Sequence, residues 1–184
     1  MIFGVTGYSC AGKEEFAKFL KKEGFMHLSL SDEIKTSLKK GKKRVTRKNL
    51  IERGNELRFN KGAGELAKRT KKKIKKGKDY VITSIRNKQE VLELRKLKDF
   101  LLINVISPRE HRFKRMIKRN KKGDSKTFEE FVQRERLEQS NVDTKQQLHI
   151  ITRMGDIIIN NNKTLNLYYM KIDRMLVDWY PKFH

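Results

Sequence analysis

The chain has 184 residues, 36% of them apolar, and carries 45 Lys and Arg against 22 Asp and Glu for a net charge of +23. That length suits one domain around a single core, and no internal repeat subdivides it. A lone cysteine, Cys10, excludes an intrachain disulfide and a cysteine-built zinc site, and no apolar run approaches the roughly 18 residues of a membrane span, so a cytoplasmic protein without a membrane partner is expected.

The chain opens on an apolar, β-prone run, Ile2 to Thr6, passes through Gly7-Tyr8-Ser9-Cys10-Ala11-Gly12-Lys13, and continues with helical spacing through Phe16, Ala17, Phe19 and Leu20. Two glycines separated by four residues and followed by lysine, set between a strand and a helix, form a phosphate-binding loop. Small residues let backbone N–H groups wrap phosphate oxygens, and the helix N-terminus adds positive potential. Gly7, Tyr8, Ser9, Cys10, Ala11, Gly12, Lys13, Glu14 and Glu15 are therefore expected to bind a nucleotide, with the Lys13 charge on its outer phosphates. The position after the lysine usually carries a hydroxyl that ligates Mg²⁺; here it is Glu14.

Gly24 reads as a helix stop and Phe25 to Leu30 as a second strand, after which Ser31 or Asp32 would cap a helix through Ile34 and Leu38. His27 reads as a strand residue, since no second histidine lies at metal spacing. Thr46 caps a helix containing Leu50, Ile51, Leu57 and Phe59, and another helix is expected from about Ala63 to Lys76. Tyr80 to Ile85 is a near-continuous apolar run, the mark of a strand buried on both faces. A helix with Val91, Leu94 and Leu97 leads to a fourth strand, Phe100 to Ile106. Ser107-Pro108-Arg109-Glu110 reads as a capping box with proline first in its helix, and His111, Arg112, Arg115 and Arg119 fall on one basic stripe. Beyond the polar hinge 120–125, Thr127 opens a helix through Phe131, Arg134 and Leu137. Asp156 to Asn160 is a fifth strand, followed by a helix from Leu165 to Leu176 with Trp179 and Phe183 docking the tail.

Strands alternating with helices call for the α/β class: a doubly wound, five-stranded parallel sheet. Right-handed crossovers bring every strand's C-terminal end to one edge, where ligands bind. That edge collects the phosphate loop, Ser31-Asp32, Thr83-Ser84-Arg86, Ser107 and Asn160-Asn161. The excess positive charge points to a polyanionic partner, either a phosphorylated small molecule or nucleic acid. The lysine runs 39–44 and 71–76 hold no aromatic residues for base stacking, and read also as solvated helix faces.

Over nearly its whole length the chain resembles the P-loop nucleoside monophosphate kinases. It is most similar to archaeal adenylate-kinase-related proteins and to the kinase-like domain preceding some deoxycytidylate deaminases. The likeness rests on Gly7 to Lys13, Leu30-Ser31-Asp32, Gly54 to Arg58, Ser84 to Asn87, and Arg112 to Arg115 through Asp124 and Phe128. It implies one domain with an acceptor-binding helical insert at about 31–76 and a short lid at about 112–136. It also implies ATP and Mg²⁺, and a nucleoside or deoxynucleoside monophosphate as acceptor, or a related phosphorylated molecule such as dephospho-coenzyme A. Lys13, Asp32, Arg115 and Arg119 would be catalytic, Arg115 and Asn160 would join the nucleotide site, and Asp32, Arg58 and Arg86 would face the acceptor. Arg112, and Arg134 or Arg136, would complete the lid. The family's acidic residue near the end of the third strand is here Thr83. Glu14 and Thr83 are thus expected to flank the metal with carboxylate and hydroxyl exchanged. Roughly 4 kcal/mol opposes a bare carboxylate about 4 Å from a phosphate at an effective dielectric of 20, so Glu14 would need a cation between them. A non-catalytic, nucleotide-dependent binder of RNA or DNA is the alternative.

Overall fold

The computed structural model describes residues 1–121 and 123–180. Its centre is a five-stranded, all-parallel sheet ordered β2-β3-β1-β4-β5. The strands are β1 Ile2–Thr6, β2 Met26–Ser29, β3 Tyr80–Thr83, β4 Phe100–Ile106 and β5 Ile157–Asn160. The sheet is doubly wound, as the alternation of strands and helices requires. Side chains along β1 and β3 alternate between two cores because successive residues of a strand face opposite sides. Ile2, Tyr80 and Ile82 enter one core and Phe3, Val5 and Val81 the other.

The first core is covered by α2 Leu30–Lys40, α3 Arg47–Lys61, α4 Glu65–Lys71, α5 Lys88–Leu94 and α8 Leu148–Ile151. The second is covered by α1 Lys13–Lys22 and α9 Leu165–Trp179. Between β4 and α8 stands a helical hairpin, α6 Arg109–Arg119 and α7 Phe128–Leu137, held together by the ring cluster Phe113, Phe128 and Phe131. Trp179 packs on the second core; Phe183 lies outside the described residues.

Several boundaries differ from the sequence reading, each for a local reason. The second helix starts at Leu30 with Ser29 at its N-cap rather than Ser31 or Asp32, because β2 runs directly into it. The Ser29 hydroxyl is spent on Ser31 and Ser84, each 2.9 Å away. The third strand stops at Thr83 because Ser84 turns to φ 64°, a conformation that ends pairing. The fourth helix closes at Lys71, and the lysine run beyond it unwinds so that Lys75 N donates to the Tyr80 hydroxyl at 3.0 Å. Pro108 is the N-cap of α6, not its first residue, and the Ser107 hydroxyl accepts from Arg115 at 3.1 Å instead of closing a capping box. Thr127 caps α7 as expected, accepting from Glu130 N, while the Glu130 carboxylate takes Lys126 N. Segment 138–155, unassigned from sequence, contains α8 and the 3₁₀ turn Thr152–Met154.

Candidate functional site

The loop between β1 and α1 is shaped by backbone that only glycine accommodates at two positions. Gly7 sits at φ 137°, and a Cβ there would lie 2.3 Å from Val105 O. Gly12, at φ 117°, would push its Cβ to 2.3 Å from Asn161 Nδ2. The loop is braced from behind: Asn161 Nδ2 donates to Ala11 O at 2.8 Å and the Tyr168 hydroxyl to Gly12 O at 3.2 Å. Gly12, at the N-cap, offers no side chain to cap α1, so the leading N–H groups of the helix face the loop, where an anion would bind.

Lys13 folds back into this loop and donates to Gly7 O and Tyr8 O, both at 2.7 Å. Burial, and next the positive charge of Arg86, hold its ammonium at a pKa of about 8. A phosphate beside it would favour the charged form and raise that value. Binding is therefore expected to take up protons once the pH exceeds about 8, and affinity to fall as pH rises further. Calorimetric titration of ATP at pH 7 and pH 9, in buffers of different ionisation heat, measures this directly; a buffer-independent heat at pH 9 would contradict it.

In front of the loop lies a cavity of about 640 Å³. Of the residues expected to bind or act, Ser9, Cys10, Gly12, Lys13, Glu14, Glu15, Arg58, Thr83, Arg86, Arg115 and Arg119 line it. The carboxylate of Glu14 is largely exposed and lies 3.7 Å from Lys121 Nζ, and Glu15 is tied to Lys18 and Tyr169. The Thr83 hydroxyl is 2.8 Å from His27 Nε2. Gly7, Tyr8 and Ala11 build the loop without lining the cavity. Asp32 stands apart, exposed and paired with Lys35 at 2.7 Å. Asn160 is exposed at the end of β5; the residue that packs on the loop is its neighbour Asn161, which is 6% exposed.

The basic stripe expected on α6 does not face one way. Arg112 is buried, ion-paired with Glu135, donates to Ser9 O at 3.3 Å and stacks between Tyr8 and Phe131. It joins the hairpin to the phosphate loop. Arg115 donates to Asn161 O at 2.7 Å and to Ser107 Oγ, and burial lowers its pKa. Arg119 is held in a two-point pair by Asp124 at 3.0 and 2.7 Å, which raises its pKa. Arg134 donates to Gly123 O, and Arg136 is exposed outside the cavity lining.

At the far end, Arg58 is 3% exposed and Glu90 fully buried, 2.9 Å apart. Glu90 also accepts from Arg86 N at 2.8 Å and Asn87 N at 3.1 Å, closing the capping box of α5. Arg47, Glu138 and Gln146 join Arg86 there, none of them singled out from sequence. Arg86 donates to Gln146 Oε1 at 3.0 Å and is 3.3 Å from Glu138, while Arg47 donates to Glu138 at 3.2 Å. Ile34, Leu50 and Ile51 add apolar surface to the lining. Thr46 announced Arg47 as the first residue of its helix; Glu138 and Gln146 meet only through tertiary closure and left no local pattern.

A sequence model of a family described as an AAA domain matches residues 4–142, well over half of the chain. The chain belongs to this P-loop kinase-like family. This P-loop kinase-like protein is 34% identical to a UPF0200 protein of Pyrococcus abyssi across 75% of its own length and 78% of the relative's. It is 29% identical to a UPF0200 protein of Sulfurisphaera tokodaii across 95% of each chain. Among solved structures, the shikimate kinase of Aquifex aeolicus superposes with a TM-score of 0.56 over 97% of both chains at 15% identity, a likeness of fold. Nucleotide or small-molecule kinase chemistry is what this kinase-like fold suggests. Among the described residues of the P-loop kinase-like protein, no helix is long and apolar enough to cross a membrane.

Proposed function

We propose that this protein is an ATP-dependent phosphotransferase whose acceptor is a small nucleotide-like molecule. The acceptors to be considered are nucleoside and deoxynucleoside monophosphates and related phosphorylated compounds such as dephospho-coenzyme A. One observation carries the reading: a single cavity joins the phosphate loop and its half-buried Lys13 to Arg47, Arg58 and Arg86 and to the apolar side chains Ile34, Leu50 and Ile51. Phosphoryl transfer asks little of a protein beyond holding two anionic reactants in line and neutralising charge as the group moves. Lys13, Arg115 and Arg119 serve the donor phosphates in this reading. Arg119 exchanges Asp124 for phosphate, and Arg58 and Arg86 orient the acceptor.

Among the described residues no group of three or more His, Cys, Asp or Glu is arranged to hold a metal unaided. The oxygen donors Glu14 and Thr83 on the cavity wall suit Mg²⁺, a hard ion that keeps waters and shares phosphate oxygens. Bound there, the ion would neutralise charge on the outer phosphates.

The test is ATP consumption by the purified protein with Mg²⁺ across a panel of nucleoside and deoxynucleoside monophosphates and dephospho-coenzyme A. Stimulation by one acceptor at least tenfold over the rate without acceptor is the expected outcome. A flat panel with ATP still bound would count against it. Attention would then turn to the exposed lysines at 39–43 and 72–76, and to RNA affinity, which falls steeply with salt when many phosphates are neutralised.

A further inference from the structure

The carboxylates around the cavity are not equivalent. Glu14 is exposed, Glu15 is engaged by Lys18 and Tyr169, and Asp32, which the sequence placed at the acceptor, lies outside the lining. Glu138 differs from all of them. It lines the cavity yet is only 7% exposed, and its Oε1 takes Arg47 at 3.2 Å with Arg86 3.3 Å away. Its Oε2 is buried and, among the described residues, has no hydrogen-bond partner. A buried anionic oxygen without a donor is costly, and native structures rarely keep one without a use.

The backbone around Glu138 is fixed tightly enough to aim it. It follows the last turn of α7, its carbonyl accepts from Leu148 N at 3.1 Å, and Gln147 N donates to Arg86 O at 2.8 Å. The same short segment thus carries Glu138 and is tied to the arginine beside it. Arg86 and Glu138 also both act on the Lys13 ammonium, the first lowering and the second raising its pKa. Glu138 therefore stands where the phosphate loop meets the acceptor half of the cavity.

We propose that Glu138 is the proton acceptor of the transfer and that the acceptor attacks through a hydroxyl rather than a phosphate oxygen; this rests on the phosphotransferase reading above. A phosphate acceptor brings an oxygen that is already ionised, has no proton to give, and would set a second anion beside Glu138. A hydroxyl supplies the donor that Oε2 lacks. Oε2 is buried, so the carboxylate must turn part-way about its last bond, a broad torsion, for that oxygen to meet the acceptor hydroxyl. In the step, the acceptor O–H bond breaks and its proton passes to Glu138, while the acceptor oxygen forms a bond to the γ-phosphorus of ATP. The bond from that phosphorus to the bridging oxygen breaks, and ADP leaves with the electron pair. Glu138 returns the proton to solvent as product departs. Arg47 and Arg86 anchor the carboxylate at the cavity edge before that turn. Of the acceptors named above, dephospho-coenzyme A and other nucleotides phosphorylated on a sugar hydroxyl fit this chemistry.

The full chain is assayed with ATP and Mg²⁺ against dephospho-coenzyme A, ribonucleosides and nucleoside monophosphates, and the new bond is identified by ³¹P NMR. A phosphomonoester product is expected. Glu138→Gln should lower kcat by about 10²- to 10³-fold, leave KM for ATP within about threefold, and remove the acid limb of the kcat–pH profile. Glu138→Asp keeps the charge but withdraws it by one methylene, and should lose about tenfold or more. Thermal melts establish that each variant is folded; if Glu138→Gln is not, Glu138→Asp decides. A phosphoanhydride product, or variants with kcat within threefold of the parent, would overturn the assignment while leaving the phosphotransferase intact. Silence of the parent protein with every acceptor, water included, would sink the phosphotransferase reading and this role with it.

Discussion

Lys13→Met is expected to cut ATP-dependent turnover by about 10²- to 10³-fold while leaving the melting temperature unchanged or raised. The two effects part because the ammonium serves different masters. In the folded protein it is half-buried against two loop carbonyls, and its pKa is depressed to about 8, so folding works against its charge. An apolar side chain of similar length removes that desolvation and gives up two hydrogen bonds, worth about 1 kcal/mol each in net terms. In the proposed transfer the same ammonium would be the fixed charge nearest the outer phosphates. The next residues, Glu14 and Glu15, are anionic. Steady-state turnover and a thermal melt on the same preparation check both halves. A variant that loses activity only because it unfolds would show a lower melting temperature and refute the separation.

Glu90→Gln is expected to be among the most destabilising single substitutions in the chain, by about 3–5 kcal/mol, because it leaves the Arg58 charge buried without its counter-ion. For a chain of this size each kcal/mol lowers the melting temperature by roughly 2–4 °C, so a drop on the order of 10 °C follows. The carboxylate does more than pair with one arginine. Its second oxygen receives the backbone N–H groups of Arg86 and Asn87, which start α5 and aim the Arg86 side chain into the cavity. Asn87 in turn donates to Asp143 O and to Lys145 O at 2.8 Å, tying down the segment that carries Glu138. The substitution should therefore also raise the acceptor KM more than the ATP KM. Denaturant melts measure the first effect and substrate titrations the second. Replacing Arg58 and Glu90 together by Met and Leu should recover much of the stability, since an apolar pair leaves no charge unpaired, but not the acceptor affinity.

Much of the fold was legible because its signals are local. The Ile2 to Thr6 run, the glycine spacing before Lys13, the apolar block at Phe100 to Ile106 and the caps at Thr46 and Thr127 each fix an element from within a few residues, and the structure keeps all of them. Errors of boundary came where a side chain found a distant partner in preference to the nearby backbone. Ser29 turns to Ser84 and Ser107 to Arg115, contacts that no local spacing reports.

The site divides the same way. Composition, charge and loop spacing identify a phosphate-binding α/β protein, because wrapping a phosphate needs one short stretch of glycine-permissive backbone followed by a helix. Tertiary packing alone decided which charges are available. It turned Arg112 inward onto Glu135 and gave Asp32 to Lys35 on the surface. It also brought Arg47, Arg86 and Glu138, from three separate stretches of chain, to one wall of the cavity. A charged side chain has the same identity in the sequence whether it faces water, a counter-ion or a ligand, and only the folded chain fixes its burial and its partners.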